Sequence, residues 1–467
     1  MKPSAQNPAQ KDNYRKGSIV LVLFAVFGLL LYLVLKKDTN LKGEENKQSI
    51  QAKGKRTPLE STISTSGGGG AAGISGAGAT KTGPAPAFTG NPTNPAMIFL
   101  PTLITGNKGS NTGSAKDGNG TGSGGQGPPS AGIHTNVVTG PKIPRKPALV
   151  NRGQAGRAIA LANGASQATF DAIDLGLAWL AEVQEPDGRW DARKWRGGNH
   201  DLGCTGLAVL AFLGDGNSHL EGKYRENVRR ALDWMVARQQ KDGHLGWTTF
   251  YEQGIAAMAL CEDCSLAQDN RYYGAAINSI RHIIDKMGPD GGFGYQGPGN
   301  DTSVTGWQIM ALKSALLADI RVPQNAIIRE KAYLKKSINP DGSTGYRYSS
   351  GPRNSMTAIG MFCRIFLGYP ISDPNIRKAA AILHKTGPVI KDEYGLYYAT
   401  YCMFQWGGQA WITWNKKFRD PLIAKQVKSG PDKGSWGGAK HAGGRVYKTA
   451  MNIMSLEVYQ RYLPVYR

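Results

Sequence analysis

Two short runs hold most of the side chains able to do chemistry. Asn300-Asp301-Thr302-Ser303 places a lone carboxyl group at what reads as a helix start, and His200-Asp201-Leu-Gly-Cys204-Thr205 brings an imidazole, a carboxylate and a thiol into one short stretch. A carboxylic acid can protonate a substrate or ligate a metal, but protonation requires that burial and neighbouring acids keep it neutral. Asp301 has no acidic neighbour in the chain, so at a helix N-terminus it is expected to be ionised and a poor acid. Glu252, next to Tyr251, is the one acid that can be set against Asp301 for glycoside cleavage. Trp307, Phe250, Tyr398, Tyr401, Phe404 and Trp406, with Gln405 among them, supply rings that stabilise a cation or pack an apolar chain. Helix starts also gather Thr305, Asn354, Ser355, Thr357, Arg445, Tyr447 and Lys448. Asp201, Asp301, Thr302 and Ser355 equally fit plain helix caps.

These residues are positioned by a phrase that returns roughly every 50 residues, the mark of stacked supersecondary units. An apolar run ends in Asp-Gly and an aromatic, and a Thr- or Ser-bearing run follows. The copies are Gln184-Glu-Pro-Asp187-Gly188-Arg-Trp190, Gln239-Gln-Lys-Asp242-Gly243 with Trp247, Asp290-Gly291-Gly-Phe293, Asp341-Gly342 with Tyr346, and Asp432-Lys-Gly434-Ser-Trp436. Asp392-Glu-Tyr394-Gly395-Leu-Tyr397 is a weaker copy. Between the phrases, charged amphipathic runs alternate with runs apolar on nearly all sides. The first are Phe170–Gln184, Tyr224–Gln240, Tyr272–Met287, Ile327–Ser337, Pro374–Lys385 and Asn415–Val427. The second are Asp201–Phe212, Gly254–Cys264, Thr302–Ala318, Met356–Leu367, Tyr397–Trp414 and Val446–Tyr462. A helix apolar all round must be surrounded by protein. Six such pairs predict an all-α fold, a single (α/α)6 toroid with the apolar helices inside; an open solenoid is the alternative.

The rest of the chain is of other kinds. Residues 1–17 form a basic tail, and 18–35 are an uncharged apolar run of bilayer-spanning length, read as a retained transmembrane helix. Residues 36–148 are rich in Gly, Ser, Thr and Pro and read as a disordered linker to the toroid at 149–467. The net charge is +22, and residues 1–150 carry 17 Lys and Arg against 6 Asp and Glu, so half of the excess sits outside the toroid. Basic residues flank the span on both sides, which leaves the side of the membrane open. No basic run interleaved with aromatics argues for nucleic acid. The five cysteines, Cys204, Cys261, Cys264, Cys363 and Cys402, are scattered through apolar runs as buried thiols. Cys261-Glu-Asp-Cys264 has no second pair, so no metal site and no cofactor are expected.

Gln184-x-x-x-Gly188-x-Trp190 resembles the QW motif of the squalene cyclase and protein prenyltransferase β-subunit superfamily, and the other copies match it loosely over one toroid's length. The resemblance implies that Gln184, Trp190, Gln239, Trp247, Phe293, Tyr346 and Trp436 are structural, tying neighbouring repeats together. It also implies an isoprenoid cavity at the end where the inner helices begin, lined by His200, Asp201, Cys204, Thr205, Tyr251, Glu252, Asn300, Thr302, Thr305, Trp307, Tyr398, Tyr401 and Gln405. Asn300-Asp301-Thr302 is similar to the tail of the Asp-x-Asp-Asp-Thr-Ala acid motif of squalene-hopene cyclases, but that motif's first two acids fall on Pro298 and Asn300. Those cyclases also enclose substrate between two barrels. The zinc-binding Asp-x-Cys pair of the prenyltransferases has no match, since Asp201 and Cys204 are spaced differently; a zinc site there would draw on His200 or His441. The Gly-Cys-Gly-Glu-Gln run of the complement-type thioester toroids is absent. The expected function is therefore a membrane-anchored ring that binds an isoprenoid, another lipid or a protein segment with little or no catalysis. The alternatives are a cyclase or transferase using Asp301 as acid or ligand, and a structural scaffold of the cell envelope.

Overall fold

Helices with no polar face are stable only inside protein, and the structure puts six of them there. The computed structural model describes residues 149, 152–246, 248–348, 350–437 and 443–461. The predicted tail, span and linker (1–148) lie outside the described residues, as do Trp247 and His441. Among the described residues no helix is long and apolar enough to cross a membrane.

A short helix, α1 (Gln154–Ala162), precedes six helix pairs. They are α2 (Gln167–Glu182) with α3 (Asp201–Gly214), α4 (Arg225–Val236) with α5 (Phe250–Ala267), and α6 (Tyr273–Asp285) with α7 (Thr302–Leu317). Next come α8 (Gln324–Ser337) with α9 (Asn354–Phe366), α10 (Pro374–Thr386) with α11 (Glu393–Trp406), and α12 (Gly408–Ala424) with α13 (Gly444–Leu456). A single turn, α14 (Val458–Arg461), follows. A two-residue antiparallel ribbon, β1 (Phe293–Gly294) and β2 (Gly297–Pro298), shapes the loop into α7.

The odd-numbered helices from α3 to α13 form a closed inner circle. Each packs on the next, and α13 returns to α3. Outside them α12 meets α2, so the outer layer closes too. This is a toroid and not an open solenoid. Every residue of α3 after Asp201 is buried, and α5 keeps only Tyr251 and Ala267 partly open. Gly206, Gly254 and Gly306 let successive inner helices approach closely, because a Cβ at each would meet Ile255, Gln308 and Ile359 in turn.

The repeated phrase is a staple with two hydrogen bonds. Gln184 Nε2 donates to the Gly188 carbonyl (2.8 Å) and to Asn227 of the next outer helix (2.9 Å). Gln239 does the same to Gly243 and Ala275, and Gln426 to Gly434 and Ala172. The last of these joins the sixth repeat to the first. The aromatic's backbone N–H then donates to a Thr hydroxyl in the inner helix's first turns, Trp190 to Thr205 (3.0 Å), Phe293 to Thr305 (2.9 Å) and Trp436 to Thr449 (3.1 Å). Glycine is required in the turn for two reasons. At Gly188 and Gly434 φ is 99° and 97°, and a Cβ would strike the backbone of the next outer helix, at Arg230 and, across the closure, at Leu175.

Three expectations change. The run Tyr397–Trp414 is not one inner helix: it breaks at Gly407 (φ 75°), so α12 begins at Gly408 and the aromatic Trp411 and Trp414 belong to an outer helix. The Gly407-Gly408 pair marks the break, between aromatic stretches that read as one run. The weak phrase at Asp392–Tyr397 is no turn; Asp392 caps α11 by accepting from the Gly395 N–H (3.0 Å). And α1 has no counterpart in the predicted elements.

Candidate ligand-binding mouth

At the end of the ring where the inner helices begin, α3 and α5 place His200 and Glu252 together. His200 Nδ1 lies 2.8 Å from Glu252 Oε1, and the Gly203 N–H donates to Glu252 Oε2 at 3.1 Å. Glu252 is buried, whereas the His200 side chain is 39% exposed. The carboxylate is thus fixed by a helix-start N–H and in turn fixes the imidazole. Asp201 is otherwise engaged, accepting from the Ala192 N–H (3.0 Å) and from Arg189 Nε (3.1 Å). Cys204 is buried and donates to the Gly443 carbonyl at 3.4 Å, and burial pushes its thiol well above the usual range. Among the described residues no set of three His, Cys, Asp or Glu side chains is grouped to hold a metal.

Asp301 caps α7. Its Oδ1 accepts from the Ser303 N–H (2.9 Å), the Val304 N–H (3.1 Å) and the Ser303 hydroxyl (2.6 Å). Asp301 Oδ1 is engaged by the start of its own helix and Glu252 by the start of α3, and the two acids do not form a pair with each other. Thr302 donates to the Gly345 carbonyl (2.8 Å), and the Asn300 carbonyl accepts from the Tyr333 hydroxyl (3.2 Å). Thr205 and Thr305, expected to line a cavity, serve the staples instead.

A file of aromatic rings runs inward from the mouth. Tyr251 stacks on Tyr295 (6.1 Å between centroids, 6° between planes), and the Tyr295 and Tyr346 hydroxyls are 3.2 Å apart. The Tyr295 and Tyr346 carbonyls accept from the Phe250 and Thr302 N–H groups, both at 2.9 Å, so the two loops are held to the starts of α5 and α7. Further in, Tyr251 meets Trp307 edge-on (6.0 Å), Trp307 stacks on Tyr397 (6.3 Å), and Tyr398 meets Phe362 (5.5 Å). Tyr401 donates to the Met454 carbonyl at 3.1 Å. Trp307, Tyr397, Tyr398 and Phe362 have 0% exposure, which leaves no room for a water-sized guest against them. Gln405 is buried near the far end of α11. The residues expected to surround a hollow therefore meet one another across the ring's axis. Burial holds the phenols of Tyr251, Tyr394, Tyr398 and Tyr447 well above their ordinary value.

Beyond Tyr397 the axis ends in charge. Arg152 is 2.8 Å from Glu262, Arg461 is 3.1 Å from Glu262 and 3.2 Å from Glu457, and all four side chains are fully buried. Sequence reasoning did not find this group, because its members lie far apart in the chain and carry no motif. Tyr295, in the ribbon's turn, was missed as well: its loop has no periodicity to read.

No family model matches the chain, and no curated protein does. Solved structures that it resembles include the type II terpene cyclase MstE from Scytonema in complex with geranylgeranyl dihydroxybenzoate, at 15% identity and a TM-score of 0.46, covering 63% of this chain and 98% of that one. An α-1,6-mannanase of Salegentibacter is similar at 8% identity and a TM-score of 0.47, covering 62% and 98%. An α-amylase from Clostridium perfringens is similar at 12% identity and a TM-score of 0.45, covering 62% and 97%. A type II terpene cyclase is thus among the structural neighbours, beside a mannanase and an amylase.

Proposed function

We propose that the ring is a non-cyclising binding domain, held to a membrane by the span at 18–35, which receives an extended protein segment across the mouth. The observation that carries this reading is the row of partly open side chains His200, Tyr251, Tyr295 and Tyr346, set out along successive repeats above a filled axis. In a closed circle of six inner helices about 9 Å apart, the first and fourth lie about 18 Å from each other across the mouth. That suits an extended chain of about five residues. Tyrosines anchor protein contacts well, because each offers a large apolar face and a hydroxyl at little entropic cost. An isoprenoid, by contrast, needs a hollow, and the rings that would line one fill it. Asp301 as a cyclase acid is disfavoured because its Oδ1 is taken up by three hydrogen bonds at the start of its own helix.

The test is selection of a random peptide library on the full chain, with counter-selection on a Tyr251→Ala/Tyr295→Ala variant. Peptides that bind the parent and lose at least tenfold in affinity on the variant, while binding an Ile412→Ser variant of the outer wall unchanged, support the reading. Failure to enrich, or binding indifferent to the mouth substitutions, overturns it.

A further inference from the structure

A small pocket opens between the start of α11, the end of α12 and α13. It encloses about 110 Å3, and its lining includes Lys391, Lys425, Lys448, Asn452, Leu422 and Trp436. The three lysines come from three separate elements: the loop before α11, the C-cap of α12 and the second turn of α13. Lys448 Nζ is 3.8 Å from buried Glu393, so one of the three charges is offset. Lys391 and Lys425 are exposed and form no ion pair with any described residue. Like charges around so small a space repel one another, and nothing of the ring's own packing requires them there.

Asn452 supplies the second observation. It is 1% exposed, lines this pocket, and neither its amide nitrogen nor its amide oxygen has a hydrogen-bond partner among the described residues. Leaving a polar group buried and unpaired costs about 1–3 kcal/mol, so an amide in this position is a liability unless a guest completes it. The complementary guest is an oxyanion that keeps one hydroxyl, as a monoprotonated phosphoryl group does: its charged oxygens accept from the Asn452 amide N–H and from the ammonium groups, and its P–OH donates to the Asn452 amide oxygen. A phosphoryl group displaces about two waters' worth of volume, roughly 60 Å3, and so fits; a nucleotide base does not.

We propose that this pocket is an anion site that takes a single phosphoryl group, either of a soluble phosphate or of a lipid headgroup. It is independent of the mouth, and the two proposals fail separately. The test is thermal unfolding and titration calorimetry on the full solubilised chain with inorganic phosphate, ionic strength being held constant with chloride. A saturable rise in Tm with phosphate is expected, and a Lys391→Glu/Lys425→Glu variant weakens the affinity at least tenfold. Asn452→Leu is expected to raise Tm in chloride alone while losing the phosphate response. Should that core substitution not fold, the surface lysine pair still decides the matter. Dihexanoyl phosphatidic acid below its micelle concentration separates the sources: binding more than tenfold tighter than phosphate marks a lipid headgroup, and equal binding a soluble phosphate. A response to phosphate no larger than to chloride, or one unchanged in the lysine variant, overturns the proposal.

Discussion

Where the inner helices end, Arg152, Glu262, Glu457 and Arg461 meet with no exposed surface, and the arginines also donate to the carbonyls of Leu210 and Leu213. Where they begin, Glu252 is buried but its partner His200 stays in contact with solvent, and three tyrosines are left partly open. Both ends use paired charges at helix termini. One pairs buried groups with buried groups beneath a filled axis, as a seal does; the other pairs a buried group with an accessible one, as a binding surface does. The difference teaches that the side of this ring able to meet a ligand is set by which charges remain reachable, more than by where the aromatic rings cluster.

The sharpest way to break the comparison is to unseal the closed end. Arg461→Met strands Glu457 in the core and leaves Glu262 to Arg152 alone, and should cost about 3–5 kcal/mol of stability by denaturant unfolding. A cost near zero would mean that the group seals nothing. Glu330, by contrast, is a buried carboxyl group whose two oxygens have no hydrogen-bond partner among the described residues, and burial pushes its pKa up to about 8 against the opposing pull of Arg329. A folded-state pKa above the unfolded one means that the native state binds the extra proton, so stability falls as pH rises from about 5 to about 8. Glu330→Gln should therefore gain about 2–4 kcal/mol at pH 8 and almost nothing at pH 5, read from unfolding at both pH values.

Smaller effects refine the axis and the mouth. The Tyr398 hydroxyl lies at the axis without a hydrogen-bond partner among the described residues, so Tyr398→Phe should stabilise by about 1 kcal/mol in thermal unfolding. A loss would reveal a guest bonded to it. Asp301→Ala should cost about 1 kcal/mol, the usual worth of a helix cap, and Asp301→Asn only a few tenths. Tyr295→Ala, at the exposed rim, should change stability by less than about 0.5 kcal/mol while weakening peptide binding.

How much of this was legible in the sequence follows from what each feature depends on. The closed ring was, because the Gly and aromatic of each phrase are local and recur, and the glycine is forced by a positive φ against the next helix; Gln426, which ties the last repeat to the first, was not singled out. The helix break does carry a signal, the Gly407-Gly408 pair with both φ values positive, which the long aromatic run on either side outweighed. Thr205 and Thr305 were placed correctly at the helix starts, yet position alone does not tell a hydroxyl that faces a cavity from one that holds the preceding loop. His200 and Glu252 stood among the candidates, but as separate residues; their pairing belongs to the contact between α3 and α5. Asn452 carries no signal in sequence, because an asparagine in an apolar helix looks the same whether satisfied or bare.

The central claim is that Trp307, Tyr397, Tyr398 and Phe362 close the axis, so that binding happens at the mouth. Native mass spectrometry of the full chain, purified from membranes rich in polyprenols and released from detergent, tests it most directly. The account predicts a bare mass, and a Trp307→Ala variant that gains an apolar guest in the space opened. One polyprenyl molecule per parent chain, retained through purification, would contradict it.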